Sequence, residues 1–244
     1  MKLSFVIPAY NEEKVIGDCI ESIERELIGK KFDVEIIVVD NNSSDKTAEI
    51  AKSFSGVKVV HEPIKGLSGA RHAGYLNSSG DLIANIDANT KLTTNWIEKV
   101  FSEFSKNENL VALSGPHFYY DLSRVQRFGV KLFYLFGYIN HIINHKIFKT
   151  GAMLQGGNFV VRRTALEEIG GYNVEFVFYG EDTDIARRIQ KVGDVKWTFK
   201  FPIYKSGRRL KQEGFFTMGF RYALNHFWTI IFGKPFTRKF RDIK

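Results

Sequence analysis

The chain has 244 residues, of which 44% are hydrophobic and 25% are charged, a balance that is typical of a globular protein and excludes a disordered chain. The formal net charge of +8 favours an anionic partner: nucleic acid, anionic lipid or a phosphorylated substrate. The one cysteine, Cys19, excludes an internal disulfide and indicates a reducing compartment, the cytoplasm. We expect neither a signal peptide nor a membrane span, because the first apolar run stops at Pro8 and no segment reaches about 18 to 20 uninterrupted apolar residues.

In chain order, the first half alternates between short apolar runs and helical patterns. The apolar runs predict β-strands at residues 3–7, 34–39, 57–60, 82–86 and 110–114. The helical patterns begin near Val15 and cover residues 46–54 and 95–104. Because apolar strands separated by helices indicate a mostly parallel sheet that is covered on both faces, the predicted fold class is α/β.

The second half is rich in aromatic residues and has fewer strand patterns. A long helical pattern covers residues 124–148, and a short strand is predicted at 159–161. A helix that starts with acidic residues is predicted over 180–193. A basic, aromatic tail follows and contains a second long helical pattern at 215–232. The second half is therefore specialised for another role than the first.

Polar side chains follow several of the predicted strands. Ligands of parallel α/β sheets bind beyond the carboxyl ends of the strands, so these side chains are candidate ligand contacts. The residues at those ends are Tyr10, Glu12, Asp40, Asn42, Asp87 and Asn89. The Asp40 carboxylate can accept hydrogen bonds from a nucleotide base or ribose, but its polar turn at 41–45 can also simply cap the next helix.

Two further segments are suited to a phosphorylated ligand. Asp87 and Asn89 place two oxygen-bearing side chains two residues apart, where both can face a hard cation that bridges a diphosphate. The glycine-rich segment 65–71 leads into a helix whose first amides can meet a phosphate, and Arg71 adds a fork of donors. Each segment taken alone is equally consistent with an ordinary turn.

The acidic residues Glu181, Asp182 and Asp184 have two interpretations. Acidic side chains at a helix N-terminus are favoured by the helix dipole for purely structural reasons. They are also a candidate for the carboxylates of an active site. The residue types at this one segment do not decide between the two.

The order and spacing of these segments resemble glycosyltransferase family 2. The resemblance rests on the blocks at residues 7–13, 38–47, 66–74, 86–89, 156–158 and 180–184. It implies the GT-A fold, a Rossmann-like, mostly parallel central sheet flanked by helices, here with amphipathic helices at the C-terminus. It covers residues 1–210, with a nucleotide-sugar-binding half at 1–115 and an acceptor half at 116–210. The basic, aromatic segment 211–244 lies beyond it.

The resemblance also implies an inverting transfer from a nucleotide-sugar and a divalent cation, Mn²⁺ or Mg²⁺. The residues expected to bind the donor are Pro8, Ala9, Tyr10, Glu12, Asp40, Asn42, Gly66, Arg71, Asp87 and Ala88. Asp87 and Asn89 are expected to hold the metal ion. Asp182 falls where the family keeps its catalytic base, with Glu181 beside it. Gly157 and Asn158 are expected to contact the acceptor.

The chain departs from the family pattern at three positions. Asn41 stands where the family often has a second aspartate, and His72 stands where asparagine is usual. Asn89 replaces the last carboxylate of the Asp-x-Asp motif, and a neutral amide oxygen is a weaker ligand for Mg²⁺ or Mn²⁺ than a carboxylate. The Gln-x-x-Arg-Trp box is missing, which argues against a processive polysaccharide synthase.

The C-terminal half suggests an acceptor held at a membrane surface. The helical segments 124–148 and 215–232 are broadly apolar, and cations interrupt or follow them. Such basic amphipathic segments can lie in a membrane interface, although they can also pack on the domain or form a dimer interface. The adjacent Arg208 and Arg209 suit a phosphate or diphosphate. We therefore expect a lipid-linked acceptor, such as a polyprenyl phosphate or lipid-linked glycan, at the inner face of the cell membrane.

Three other functions are alternatives to sugar transfer. A non-catalytic nucleotide- or sugar-binding module on the same fold is kept open by Asn41 and Asn89. A nucleic-acid partner would suit the positive charge, but the cations cluster with apolar residues near the C-terminus and no recognition motif is found, so we expect none. A Rossmann dehydrogenase is disfavoured because no Gly-x-Gly-x-x-Gly follows the first strand.

Overall fold

A computed structural model of the protein describes residues 1–143 and 153–237. The end of the predicted helix at 144–148 and the basic residues of the tail from 238 to 244 lie outside the described residues. The strands are β1 Leu3–Ala9, β2 Val34–Asp40, β3 Val57–His61, β4 Leu82–Ile86, β5 Thr90–Leu92, β6 Leu110–Ser114, β7 His117–Tyr119, β8 Asn158–Arg162, β9 Asp194–Trp197 and β10 Ile203–Lys205.

Helices connect most of these strands. They are α1 Ile16–Leu27, α2 Thr47–Ser53, α3 Leu67–Leu76, α4 Trp96–Lys106, α5 Arg124–Ile143, α6 Arg163–Glu168, α7 Glu181–Ile189, α8 Arg208–Glu213 and α9 Phe215–Phe232. The helical patterns near Val15 and at 46–54, 95–104, 180–193 and 215–232 thus correspond to α1, α2, α4, α7 and α9. The short helices α6 and α8 were not predicted from the sequence.

The central sheet has seven strands in the order β3-β2-β1-β4-β8-β6-β9. All neighbours are parallel except β8, which runs antiparallel to both β4 and β6. The predicted α/β class with a mostly parallel sheet is confirmed. The carboxyl ends of β1, β2 and β4 lie along one edge, where the polar segments that follow these strands come together.

Both faces of the sheet are buried, which explains the continuous apolar runs. Every residue of β1 and of β4 is buried. On one face, helices α1 and α4 contribute side chains such as Ile20 and Trp96 to the core. On the other face, α3, α6 and α7 cover the sheet with side chains such as Tyr75, Leu166 and Ile185. Helices on both faces leave the carboxyl edge of the sheet as the open side.

A second, three-stranded sheet in the order β5-β10-β7 stands beside that edge. Strand β5 begins directly after the segment 87–89, and β10 runs antiparallel to it, with Lys205 opposite Thr90. Strand β7 pairs with the other side of β10. This small sheet brings the end of β10 next to the end of β4, although the two are far apart in the chain.

Two long helices complete the structure. Helix α5 packs through Val130 and Tyr134 on Trp197, and α9 packs on α7 and α8. Along the described parts of the chain, no helix combines the length and the apolar character needed to span a bilayer. The predicted division at residues 210 and 211 falls inside α8, so that segment 211–244 begins within a helix; the division itself stays a prediction.

Candidate active site

A cleft of about 700 Å³ opens at the carboxyl edge of the central sheet. Its donor-side wall consists of the ends of β1 and β4, the turn after β2 and the start of α3. Its far wall consists of α5, α7, α8 and α9. Of the residues predicted to form the site, the cleft is lined by Pro8, Ala9, Tyr10, Glu12, Gly66, Arg71, Asp87, Ala88, Asn89, Glu181, Asp182, Arg208 and Arg209. The structure thus brings most of the predicted site residues together.

The segment after β1 presents one aromatic ring and one carboxylate to the cleft. The Lys65 ammonium lies 4.0 Å from the centroid of the Tyr10 ring, and the same ammonium donates to the Tyr10 hydroxyl. Glu12 forms an ion pair with Arg208 of α8, which closes the cleft from the opposite side. Burial raises the pKa of Glu12, against the opposing effect of Arg208.

The turn after β2 presents a different residue to the cleft than the sequence predicts. The Asp40 carboxylate accepts a hydrogen bond from the Ser43 amide (3.1 Å) and faces the His61 ring (3.3 Å), and it does not line the cleft. Asn42 is exposed and also lies outside the lining. Asn41 lines the cleft instead, and its side-chain oxygen accepts from the Gly66 amide at 2.8 Å. Donor contacts of Asp40 and Asn42 therefore stay predictions.

Arg71 is a fully buried cation at the base of the cleft. Its guanidinium forms an ion pair with Glu181 of α7 and another with Asp87 (Nη2 to Oδ1, 3.2 Å). The group also lies over the Phe159 ring, at 5.2 Å from its centroid. Arg71 therefore joins α3, the end of β4 and the start of α7, and it positions two carboxylates rather than standing free for a ligand.

The carboxylate of Asp87 is held between two cations. Its second oxygen, Oδ2, lies 2.5 Å from the ammonium of Lys205, at the end of β10. Burial alone would raise the pKa of Asp87, but Lys205 and Arg71 outweigh it and hold that pKa well below its usual range. The carboxylate is therefore ionised and already neutralised by protein cations.

The residues at this corner fit a divalent cation poorly. Both oxygens of Asp87 are engaged by ammonium or guanidinium groups, and Asn89 contributes a neutral oxygen, which is buried without a hydrogen-bond partner. Within residues 1–143 and 153–237, no three His, Cys, Asp or Glu side chains are grouped closely enough to hold a metal ion. The metal site predicted at Asp87 and Asn89 therefore stays a prediction.

Gly157 and Asn158 shape the site from behind the cleft. Gly157 has a φ of +80°, and a Cβ atom there would collide with the Asp87 carboxylate, so glycine is required for that close approach. The Asn158 amide donates to the carbonyls of Gly115 (3.0 Å) and Phe201 (2.9 Å) and accepts from the Trp96 indole. Because these bonds use the amide inside the protein, the structure does not bring the Asn158 side chain to an acceptor.

Helix α7 places Asp182 on the cleft wall and Glu181 beneath it. The Asp182 carboxylate is partly exposed and accepts hydrogen bonds from the amides of Thr183 (2.8 Å) and Gly156 (3.1 Å). Glu181 is buried, and this burial raises its pKa to about 7, while Arg71 opposes the shift and Asp182 adds to it. Asp182 can therefore contact a ligand, whereas the Glu181 carboxylate is occupied by its ion pair with Arg71. Asp184 forms ion pairs with Arg187 and Arg188 of the same helix.

Arg208 and Arg209 both line the cleft but have different partners. Arg208 pairs with Glu12, and Arg209 pairs with Glu213 (3.1 Å) while its guanidinium lies 4.5 Å from the Phe178 ring centroid. The two side chains thus sit at the same wall without converging on one point. Their predicted contact with an acceptor phosphate stays a prediction.

Comparison with known proteins decides the family. The sequence model described as glycosyl transferase family 2 matches residues 4–170, which is more than half of the chain. The chain belongs to this family. A second match, to the N-terminal domain of galactosyltransferase, covers residues 141–211. The prediction of the family is confirmed.

Relatives with curated descriptions are glycosyltransferases too. The chain is 31% identical over 202 residues to a probable glycosyltransferase, YdaM, of Bacillus subtilis, with 79% of this chain and 47% of the relative covered. It is 36% identical over 121 residues to a dolichol-phosphate mannosyltransferase of Pyrococcus furiosus, with 48% of this chain and 34% of the relative covered. The chain thus spans less than half of the length of these relatives.

The fold is also that of a solved glycosyltransferase. The mannosyltransferase PcManGT from Pyrobaculum calidifontis, in complex with GDP-Man and Mn²⁺, superposes with a TM-score of 0.68 at 17% sequence identity. The match covers 94% of this chain and 64% of the other. At this identity the likeness shows the fold, and it confirms the predicted GT-A architecture.

Several residues of the cleft were missed from the sequence. They include Asn41, Lys65, His117, Lys205, Tyr222 and His226. Lys65 is the first residue of the glycine-rich segment 65–71, so its position next to Gly66 was a usable signal. Lys205 ends a strand of three residues, too short for a recognisable pattern, and nothing in the local sequence marks it.

Proposed function

We propose that the chain transfers a sugar from a UDP- or GDP-linked donor to a lipid-linked acceptor, with inversion at the anomeric carbon. The observation that carries this proposal is the continuity of one cleft. It joins the polar donor edge at Tyr10, Gly66 and Asp87 to Asp182, and then to an apolar wall between α5 and α9. Along this cleft, the polar edge suits a charged donor, the carboxylate suits the transfer step, and the apolar wall suits a lipid chain.

The donor edge offers the groups that a nucleoside diphosphate needs. The Tyr10 ring can stack on a base, and stacking of this kind accepts uracil or guanine equally. The first turn of α3 lies at the cleft through Gly66 and Leu67, where a helix N-terminus favours phosphate. The related mannosyltransferase structure holds GDP-Man on the same fold, which supports a nucleotide-sugar donor for this chain.

Asp182 is the carboxylate best placed to act on the acceptor. It is partly exposed in the cleft, and its two backbone hydrogen bonds fix its orientation. A hydroxyl acceptor must lose a proton as it attacks, so Asp182 would then serve as a general base. A phosphate acceptor is already ionised at neutral pH, and Asp182 would then orient it. In both cases attack from the face opposite the nucleotide inverts the anomeric carbon.

The apolar wall supports a lipid chain as part of the acceptor. Its side chains are Val130, Phe133, Tyr134, Met153, Leu154, Met218, Tyr222 and Phe227. A polyprenyl chain is hydrocarbon, and a wall of this composition offers it apolar contact over most of its surface. The 36% identical relative from Pyrococcus furiosus is described as a dolichol-phosphate mannosyltransferase, which is consistent with a polyprenyl phosphate.

Donor binding is tested by thermal unfolding with UDP-glucose, UDP-N-acetylglucosamine and GDP-mannose, each with EDTA or Mn²⁺. A true donor at about 100 times its Kd should raise the melting temperature by about 5 to 10 °C, because it binds only the folded state. Free glucose and mannose serve as controls and should give no shift. Absence of any shift across the whole panel, with the protein folded, would contradict the proposed function.

An exposed face of α5 supports contact with a membrane surface. Val125, Phe128 and Leu132 lie on one face of this helix and are 82%, 62% and 42% exposed. Arg124, Arg127 and Lys131 flank them on the same exposed side. An apolar stripe with flanking cations is typical of a helix that lies in an anionic interface. The proposed location is therefore the inner face of the cell membrane.

Vesicle binding tests the role of this face. The protein should sediment with phosphatidylserine vesicles at low salt and much less at high salt, because salt screens the contribution of the cations. The double variant Phe128→Asp and Leu132→Asp should weaken sedimentation by about tenfold or more. The double variant Ile28→Asp and Ile64→Asp is the matched control, since it adds the same charge at side chains that are 75% and 76% exposed and lie outside α5. Equal binding by the double variant and the wild type would remove α5 from the proposal.

A further inference from the structure

The Lys205 ammonium stands where the donor diphosphate is expected to pass. It lies 2.5 Å from Asp87 Oδ2, at the end of β4 and inside the cleft. The Lys205 side chain is 17% exposed, so it is neither free at the surface nor sealed from a ligand. The glycosyltransferase family motif assigns Asp87, but no motif assigns the cation that meets it.

The position of this ammonium is fixed by backbone pairing rather than by its own side chain alone. Strand β10 pairs with β5 so that Lys205 lies opposite Thr90, and the Ser206 amide donates to the Asn89 carbonyl at 3.2 Å. Strand β7 holds the other side, with Lys205 opposite Tyr119. The lysine therefore belongs to the same rigid corner as Asp87 and Asn89.

The charges at this corner leave little attraction for a divalent cation. Asp87 contributes one negative charge, and Arg71 and Lys205 each contribute a positive charge within 3.2 Å of it. Asn89 is neutral, and two nearby carboxylates, Glu181 and Glu12, are paired with Arg71 and Arg208. A metal ion would have to displace Lys205 from Asp87 and would then gain one carboxylate and one amide oxygen, a weaker set than such ions usually have.

We propose that Lys205 takes the place of the divalent metal ion and meets the donor diphosphate directly. This inference rests on the proposed function, since it supposes a nucleotide-sugar in the cleft. An ammonium has three N–H donors, so Lys205 can donate to Asp87 and to phosphate oxygens at the same time. Lysine is a common phosphate ligand, acting as a point charge. Asp87 then serves to aim the ammonium, and the chain binds its donor without a metal ion.

Calorimetric titration of the full chain with UDP-glucose, UDP-N-acetylglucosamine and GDP-mannose, in EDTA and in Mn²⁺, tests this. For the donor that binds, the wild-type Kd should agree within about threefold between the two conditions. Lys205→Met keeps the unbranched stem of the side chain and removes the ammonium group, and it should weaken binding by about 30-fold or more. Lys91→Met is the matched control: it makes the same charge change on β5, where Lys91 pairs with Asp18 outside the cleft, and should leave the Kd unchanged.

A gain of metal dependence provides the second arm. The double variant Asn89→Asp and Lys205→Ala replaces the ammonium by space and adds a second carboxylate beside Asp87. This variant should bind the donor weakly in EDTA, and its Kd should be lower in Mn²⁺ by a factor of about 10 or more, because two carboxylates suit the ion. The circular dichroism spectrum of each variant reports whether it is folded.

The outcomes separate this inference from the proposed function. Wild-type binding that is lost in EDTA and restored by Mn²⁺ would overturn the role of Lys205 while leaving the nucleotide-sugar donor intact. Wild-type affinity in a folded Lys205→Met variant would overturn it as well. No binding of any of the three nucleotide-sugars by the folded wild type, in EDTA or in Mn²⁺, would instead defeat the proposed function itself.

Discussion

Replacing Asp182 by asparagine is expected to lower the rate of transfer to a hydroxyl acceptor by about 100-fold or more, with little change in donor affinity. General bases contribute roughly 10²- to 10⁴-fold to reaction rates, and an amide cannot take up the proton. Asp182 lines the cleft from α7, whereas the groups assigned to the nucleotide come from β1 and the start of α3, so we expect donor binding to depend little on its charge. Steady-state transfer rates at saturating donor, together with the donor Kd, measure the two effects separately.

Asp184→Asn is the matched control for this prediction. Asp184 is a carboxylate of the same helix, two residues further on, but it pairs with Arg188 (2.8 Å) and does not line the cleft. Its replacement should lower the melting temperature and leave the rate per folded molecule close to that of the wild type. The Asp182 carboxylate accepts from the amides of Gly156 and Thr183 through its two oxygens, and asparagine keeps one of these oxygens. The melting temperature of Asp182→Asn must therefore be measured as well.

The acceptor decides what a loss of rate means. If the natural acceptor is a polyprenyl phosphate, Asp182→Asn should retain most of its activity towards it, because that acceptor needs no base. If the acceptor is a hydroxyl, the variant should lose most of its activity. Wild-type rates towards both acceptors in a folded Asp182→Asn variant would exclude Asp182 from the transfer step.

The donor edge could be predicted from the sequence because its signals are local. Tyr10 and Asp87 each follow an apolar run directly, and the ends of parallel strands meet at one edge of a sheet whatever the rest of the chain does. The same logic placed Asp40 there, yet its carboxylate turns towards Ser43 and His61 while Asn41 enters the cleft. Which of two neighbouring side chains faces a ligand depends on the turn, and the sequence pattern does not record it.

The cations that complete the site could not be predicted, because they depend on long-range pairing. Lys205 is 118 residues from Asp87 and reaches it through a strand of three residues in a separate small sheet. The burial of Arg71 is equally hidden: its helical pattern permits a surface position, and Glu181 reaches it only when α7 packs on the sheet. Short strands and buried ion pairs leave no periodic signal.

Replacing Arg71 by methionine is expected to destabilise the fold strongly. Its guanidinium is fully buried between Glu181 and Asp87, and Arg71→Met would leave these two carboxylates together with less compensating charge. Removal of one member of a buried ion pair costs roughly 3 to 5 kcal/mol of unfolding free energy. Arg163→Met is the matched control: Arg163 bonds to the Gly80 carbonyl and the Ser78 hydroxyl, so its loss strands no carboxylate and should cost roughly 1 kcal/mol.

The loss of unfolding free energy in Arg71→Met should depend on pH if Arg71 acts through its charge, and should not if it acts through its packing. Burial raises the pKa of Glu181 to about 7, so the folded state binds the carboxyl proton of Glu181 more tightly than the unfolded state does. The resulting stabilisation is present at low pH and is lost as the pH rises through that pKa. Without Arg71 the pKa of Glu181 should rise further. The deficit measured by urea unfolding should therefore be larger at pH 8 than at pH 6, and the added change Glu181→Gln should remove the difference. A deficit that is equal at both pH values would show that Arg71 acts through its packing on Phe159 rather than through its charge.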